Sequence, residues 1–458
     1  MKIHFIGIGG IGVSALAQYY LAKGHQVSGS DLVSSEITDS LKKLGAKIKI
    51  GEHKTKNIPK NVNLVIYSPA VQKNNPELKK AYKIQNTNYK LQIKSYPEAL
   101  GELTKKYFTI AICGTHGKST TTAMIALILI KAGLNPTVIL GTKLKDFNNT
   151  NFRMGGFPKY KIQNTNYQIL IIEADEWQAS FLKYFPKIIV LTSIEREHLD
   201  YYKNLNHILR TYKDFIGHLP KDGMLVVNKD DKNSAKLKSQ NLKPQLKTQN
   251  YTIKQKEAKI LKKILKIPGE HNVSNALAAL TVARILKIPD KISFKTLSKY
   301  KGAWRRFEIF KYKILDTRYK IQMISDYAHH PTEIKATLKA AREKFKNKKI
   351  WCVFQPHQYQ RTYYLFNDFV KTFQQVLQKK WINLLIITDI YDVAGRENKK
   401  IKEEVNSKKM IKTINKRSAV YLPKKQILKY LKKNLKKGEV VIIMGAGDIY
   451  ELVSTKNP

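Results

Sequence analysis

The residues best equipped for chemistry lie in Gly114-Thr115-His116-Gly117-Lys118-Ser119-Thr120. A Gly-bearing turn that opens onto Lys-Ser is an anion site. Backbone N–H groups and a helix N-terminus face phosphate oxygens, the lysine adds a point charge, and the serine hydroxyl can serve a Mg²⁺ ion. The strict phosphate loop has a further glycine where Ile112 stands, so this is a shorter variant. Downstream come Glu173-Ala-Asp-Glu176 and Glu195-Arg-Glu-His198-Leu-Asp200, each closing an apolar run. A parallel sheet places the ends of such strands beside the phosphate loop, which makes Glu173 and His198 the candidates for reaching cations held by phosphate oxygens. Asn272 and Asn275 open a helix, where amides can cap the first turn or read an adenine edge.

A second glycine-rich turn, Gly7-Ile-Gly9-Gly10-Ile11-Gly12, precedes Asp31. It fits the dinucleotide fingerprint, with pyrophosphate on a helix N-terminus and the acid on a hydroxyl, though any nucleotide diphosphate satisfies it. Ser68 closes a later strand and is either a ligand contact or a turn cap. A third group comprises Asp326, His329, His330, His357, Arg361 and Asp389. Its adjacent histidines lack structural-zinc spacing, so zinc is not expected.

These groups need strands that end together. Apolar runs at 2–8, 26–31, 63–70, 108–113, 168–176, 186–194, 322–327, 350–356, 384–389 and 440–447 alternate with helical segments. That alternation predicts parallel α/β sheets, whose carboxyl edges gather ligand-binding residues. Residues 83–107 read as a connector. They begin with Lys83-Ile-Gln-Asn-Thr-Asn-Tyr89, repeated as residues 161–167, and both copies read as inserted surface loop. Residues 228–266 have weak periodicity and are the least readable.

At 458 residues the chain exceeds one core, and two or three domains are expected. The net charge of +48 comes from 72 lysines against 11 arginines, scattered without a basic arm or nucleic-acid module. Non-specific attraction to polyanions follows, but no specific nucleic-acid partner. Cys113 and Cys352 sit in apolar runs, which suits reduced thiols and a cytoplasmic site. The N-terminus is too broken for a signal peptide, and no apolar run reaches membrane-spanning length.

The same motifs, in this order from residue 3 to about 449, resemble the Mur ligases: both glycine turns, Glu173-Ala-Asp-Glu176, Ile194-Glu-x-x-His198-x-Asp200, Gly269-x-His-Asn-x-x-Asn275, Arg305-Arg-Phe307, Asp326-Tyr-Ala-His-His-Pro-Thr-Glu-Ile334 and Phe354-Gln-Pro-His-x-Tyr-x-Arg-Thr362. The resemblance implies an α/β protein of three domains, each on a mainly parallel sheet. These are a Rossmann-like domain for the UDP-sugar (1–107), a central P-loop ATPase (108–300) and a Rossmann-like C-terminal ligase domain (301–458). It implies ATP and Mg²⁺ as cofactors, with L-alanine and UDP-N-acetylmuramate as substrates, in a monomer or weak homodimer. The recycling branch, which joins a tripeptide to the same nucleotide sugar, is the alternative.

Carried over by motif, Gly9, Gly10, Ile11, Gly12, Asp31 and Ser68 meet the UDP-sugar. Gly114 to Thr120, Asn272, Asn275, Arg306 and Asp326 meet ATP, and Lys118, Glu173, His198 and Arg306 are catalytic. Ser119, Glu173 and His198 hold metal, while His329, His357 and Arg361 meet the amino acid. Glu176 is expected to matter less than Glu173. Three positions depart from the family pattern: Ser193 replaces Asn, Glu197 replaces Asp, and Gln358 replaces the first of two arginines. A nicotinamide oxidoreductase explains the first glycine turn but not the second. A nucleotide sensor has no need of the third cluster.

Overall fold

The computed structural model describes every residue except 88–89, 160–166, 240–245, 314–319, 394–398 and 455–458. The chain packs as two compact units. One comprises Met1–Glu195, Leu205–Gln255 and Asn275–Leu297, and the other Arg196–Asn204, Lys256–Ser274 and Ser298–Pro458.

The first unit holds two sheets among the described residues. In one, β1 (Lys2–Ile6), β2 (Gln26–Asp31), β3 (Lys47–Ile50), β4 (Leu64–Tyr67) and β5 (Gln92–Ser95) lie in the order 3-2-1-4-5. All its pairings are parallel. Ile6 pairs with Ser30 and Tyr67, so the glycine turn after β1, Asp31 and Ser68 share one edge. In the other, β6 (Phe108–Cys113), β7 (Thr137–Leu144), β8 (Thr150–Arg153), β9 (Ile169–Glu173), β10 (Ile188–Leu191), β11 (Met224–Asn228) and β12 (Lys247–Tyr251) lie in the order 12-11-10-6-9-7-8. The central β6 is buried along its length, as is nearly all of the helix Lys118–Lys131 behind it. A helix buried on all sides belongs in a core, and this one lies between the sheet strands β6, β7 and β9 and the helix Asp290–Leu297. The polar β12 takes the edge, where lysine and asparagine discourage further pairing.

The second unit holds β13 (Glu308–Lys313), β14 (Lys320–Asp326), β15 (Ile350–Phe354), β16 (Leu384–Ile387), β17 (Ala419–Tyr421) and β18 (Val440–Met444), in the order 13-14-18-15-16-17. Strand alternation divides its core. Ile350, Cys352, Phe354, Ile442 and Met444 face one layer, and Trp351, Val353, Val441 and Ile443 the other.

Two expectations change. The supposed connector holds β5 and the helix Tyr96–Lys106, started by Ser95 and Glu98 in a reciprocal capping box with Pro97 in the first turn. The first copy of the repeat is not loop: Lys83–Thr87 ends the helix Pro76–Thr87, because Ile84 still packs on the core containing Leu78 and Ala81. Residues 161–166 of the second copy lie outside the described residues. The sheets are mainly parallel, as expected, with β7–β8 and β13–β14 pairing antiparallel.

Candidate functional site

The loop after β6 is shaped by its neighbours in the sheet. Gly114 has φ +128°, and a Cβ there would lie 2.1 Å from the Thr192 hydroxyl; Gly117 has φ +82°, and a Cβ there would lie 2.4 Å from Asn275 Oδ1. Side chains cannot replace either glycine without moving these groups. Thr115 N–H donates to the Ser193 carbonyl at 2.8 Å and His116 N–H to its hydroxyl at 3.1 Å. Ser193 therefore ties the loop to the end of β10. Glu195 N–H returns a bond to Thr115 Oγ1 at 2.8 Å, and the Glu195 carboxylate lies 3.4 Å from His116 Nε2.

Gly117 caps the helix that starts at Lys118, and Ser119 and Thr120 are buried in its first turn. Ile112 of β6 pairs with Glu173 of β9, which brings the acid beside the loop. Ser119 Oγ donates to Glu173 Oε2 at 2.9 Å, while Gly141 N–H donates to Oε1 at 2.6 Å. Lys118 Nζ donates to the Gly114 carbonyl at 2.7 Å and to Glu176 Oε2 at 2.8 Å. Burial alone would lower the lysine pKa, but Glu176 and the neighbouring acids outweigh it and raise it. The expectation of a minor role for Glu176 misses this pair; its buried carboxylate is the lysine's counter-ion.

Asn275 lies with the loop and accepts from Thr121 Oγ1 at 3.2 Å. Asn272, one turn earlier in the helix Glu270–Ile285, donates to the Pro268 carbonyl at 2.6 Å and belongs to the second unit. His198 also belongs to that unit, whereas Ser119 and Glu173 belong to the first.

At the β1 edge, Gly7 leads to Gly10, which caps the helix Ile11–Ala22, with Gly12 in its first turn. Asp31 does not wait free for a hydroxyl: Oδ2 accepts Gly9 N–H at 2.7 Å, which fixes the turn. Ser68 Oγ accepts Ala70 N–H at 3.3 Å and caps its own turn.

In the second unit, Asp326 is buried at the end of β14. It accepts Phe307 N–H at 2.8 Å, Ala328 N–H at 2.9 Å and the Thr337 hydroxyl at 3.2 Å. Burial raises its pKa despite these bonds. The Arg306 guanidinium stands over the Tyr327 ring at 4.7 Å. Three expected amino-acid residues do come together. His329 and His357 meet edge to face at 6.0 Å, and Arg361 Nη1 lies 3.0 Å from His357 Nδ1. Burial, then the nearby Arg361, hold His357 well below the usual histidine range, so its ring is neutral and Nδ1 accepts the arginine proton. Asp389 is taken up by the Tyr421 hydroxyl at 2.5 Å.

Sequence reasoning overlooked a buried polar cluster. Glu77 accepts from Ser30 Oγ at 2.6 Å, Asn57 Nδ2 at 2.7 Å, His53 Nδ1 at 3.0 Å and His4 Nε2 at 3.2 Å. No motif links these scattered residues; only folding assembles them.

Comparison with known proteins adds three findings. Family models match in series: "Mur ligase family, catalytic domain" over residues 2–108, "Mur ligase middle domain" over 112–283, and "Mur ligase, glutamate ligase domain" over 305–447. UDP-N-acetylmuramate–L-alanine ligases of Clostridium tetani and Acetivibrio thermocellus are each 40% identical, over 98% of this chain and 96% and 94% of theirs. Among solved structures, the UDP-N-acetylmuramate–alanine ligase MurC of Thermotoga maritima superposes with TM-score 0.76 at 27% identity, covering 99% of this chain and 97% of that one. A murein peptide ligase of Psychrobacter arcticus superposes with TM-score 0.70 at 21% identity over the same shares, a likeness of fold alone.

Proposed function

The chain belongs to the Mur ligase family, and we propose how its residues divide the work of joining L-alanine to the carboxylate of UDP-N-acetylmuramate. The reaction is an ATP-dependent amide ligation of peptidoglycan precursor synthesis. The recycling reaction with a tripeptide is not favoured, because the relatives near 40% identity are alanine ligases.

A carboxylate cannot expel oxide to admit an amine. The muramate carboxylate therefore attacks the γ-phosphorus of ATP, forming an acyl phosphate and releasing ADP. The alanine amine adds to the acyl carbon, and the tetrahedral intermediate expels inorganic phosphate. Charge gathers on the transferring phosphoryl group, so positioned cations and N–H donors carry most of the catalysis.

One observation carries the assignment of residues: Lys118, Ser119, Glu173 and Glu176 converge where the loop leaves β6. Lys118 meets the β- and γ-phosphates, and the N–H groups of the helix's first turn, Lys118 to Thr120, face them. The oxygen set of Ser119 and Glu173 fits a hard cation, and His198 is the ligand for a second. Bound Mg²⁺ neutralises charge on the phosphate oxygens. Asn272 and Asn275 lie by the adenine, and Arg306 and Asp326 by the ribose and phosphates. Gly9 to Gly12, Asp31 and Ser68 hold the UDP-sugar, with Asp31 acting through the turn it fixes. His329, His357 and Arg361 meet alanine.

The three sheets support a division into residues 1–107 for the UDP-sugar, 108–300 for ATP and 301–458 for ligation. Substrates of this kind and two buried free thiols support a cytoplasmic enzyme, read as a monomer or weak homodimer. Among the described residues no helix is long and apolar enough to cross a membrane.

A phosphate-release assay tests the reading. Turnover should require ATP, UDP-N-acetylmuramate and L-alanine together. Faster turnover with the tripeptide than with alanine would overturn it.

A further inference from the structure

In the second unit a small cleft is lined by Arg196, Glu197, His198, Asp200, Gln358 and Arg361, among others. The cleft holds a buried ion pair of unusual shape. Arg361 Nε lies 2.9 Å and Nη2 2.8 Å from the same oxygen, Glu197 Oε1, and the two side chains are 8% and 9% exposed. Oε1 also takes the His198 N–H at 3.2 Å. On its other side, Arg361 Nη1 meets His357 Nδ1 at 3.0 Å and the His357 carbonyl at 3.3 Å.

A guanidinium has five N–H bonds, in three directions. Glu197 closes the side-on edge made by Nε and Nη2. His357 takes Nη1 through both its ring nitrogen and its carbonyl. At the end-on edge Nη2 keeps one N–H, which is left to donate to a carboxylate. On Glu197, the hydrogen bonds among the described residues fall on Oε1, which leaves Oε2 as an acceptor. The cleft thus presents a fixed negative group beside a fixed positive one. An α-amino acid carries the opposite charges on two substituents of one carbon.

We propose that Glu197 and Arg361 form a zwitterion clamp, in which Glu197 Oε2 accepts the α-ammonium of the amino-acid substrate and the end-on edge of Arg361 binds its α-carboxylate. The clamp rests on the reading that Arg361 meets the amino acid, and it adds Glu197 as a specificity residue. It also gives a physical reason for preferring a free amino acid to a peptide. In a peptide the N-terminal residue still offers an ammonium, but its carboxyl is locked in an amide and cannot fill the Arg361 edge. A buried guanidinium left without its carboxylate is a poor exchange for water.

The test uses the full-length enzyme in steady-state phosphate release with saturating ATP and UDP-N-acetylmuramate. L-Alanine is the varied substrate. Propionate, which lacks the ammonium, and L-alaninamide, which lacks the carboxylate, are the competitors. For the wild type, each competitor should bind at least about tenfold more weakly than alanine; equal binding of either overturns the clamp without any variant. Glu197→Gln keeps the shape and an acceptor oxygen but loses the charge. It should raise the alanine KM about tenfold or more while leaving the propionate Ki and the ATP KM within about twofold. If Glu197→Gln weakens alanine and propionate equally, Glu197 only braces Arg361 and the clamp is wrong. An unchanged alanine KM also rules it out. Arg361→Lys should weaken both alanine and propionate. If Arg361→Lys shifts neither, the amino-acid role of Arg361 itself fails, whatever Glu197 does.

Discussion

Lys118 and Arg361 are each held by a buried carboxylate distant in sequence, and the two arrangements end differently. Lys118 gives two of its three donors to the protein, one to Glu176 and one to its own loop carbonyl at Gly114. A lysine is a point charge on a flexible stem, so it can swing from Glu176 to a phosphate when ATP arrives. Arg361 is planar and cannot swing without losing its geometry. It keeps Glu197 on one edge while offering another. Burial would raise the pKa of Glu197, but Arg361 outweighs it and holds the carboxyl well below the usual range. A stored charge suits a substrate that brings more charge than its counter-ion. A shared fork suits one whose shape must be read.

The largest effect is expected at Lys118. Lys118→Ala should lower phosphate release at least 100-fold, since losing one charge-stabilising donor at a transferring group costs roughly 3 kcal/mol or more. UDP-sugar binding measured by calorimetry should survive. More than a tenth of wild-type turnover would remove Lys118 from the phosphates. Next comes Glu173→Gln, which swaps a hard anionic ligand for a neutral amide. Turnover should fall and the Mg²⁺ concentration for half-maximal rate should rise. A variant with the wild-type Mg²⁺ dependence would mean that Glu173 serves only to bond Ser119 and Gly141.

The fork is tested by Arg361→Lys, expected to raise the alanine KM about tenfold and the ATP KM little. Equal changes in both would make Arg361 a brace. A third acid, Glu77, sharpens the contrast, because it is held by several hydrogen bonds rather than by one permanent cation. Burial would raise its pKa, but donors from His4, His53, Ser30 and Asn57 hold it far below the usual carboxylate value. A depressed folded value gives stability that is present above about pH 4 and lost as pH falls further. Glu77→Gln should therefore lower Tm by a few degrees at pH 7 and flatten the fall of Tm from about pH 5 to 3. Parallel Tm curves for variant and wild type would contradict this.

What was legible in the sequence follows the range of the interaction. The phosphate loop, Glu173 and the apolar strands were readable because each is a local pattern, and parallel pairing then sets Glu173 beside Ile112. The helix Tyr96–Lys106 was missed although Ser95-Tyr-Pro-Glu98 spells a capping box with proline in the first turn. The polar repeat hid a helix end because composition weighed more than the one apolar residue, Ile84, that continues the stripe. Glu176 on Lys118 and Glu197 on Arg361 were beyond reach, since no periodicity reports a contact across 58 or 164 residues.

In the proposed reaction the muramate carboxylate takes the γ-phosphoryl group before the amine arrives. The most direct test labels the muramate carboxylate of UDP-N-acetylmuramate with ¹⁸O and follows the products of one turnover by mass spectrometry. One labelled oxygen should appear in the inorganic phosphate, with none in the nucleotide. Label in AMP, or unlabelled phosphate beside the amide product, would contradict an acyl phosphate formed at the Lys118 loop.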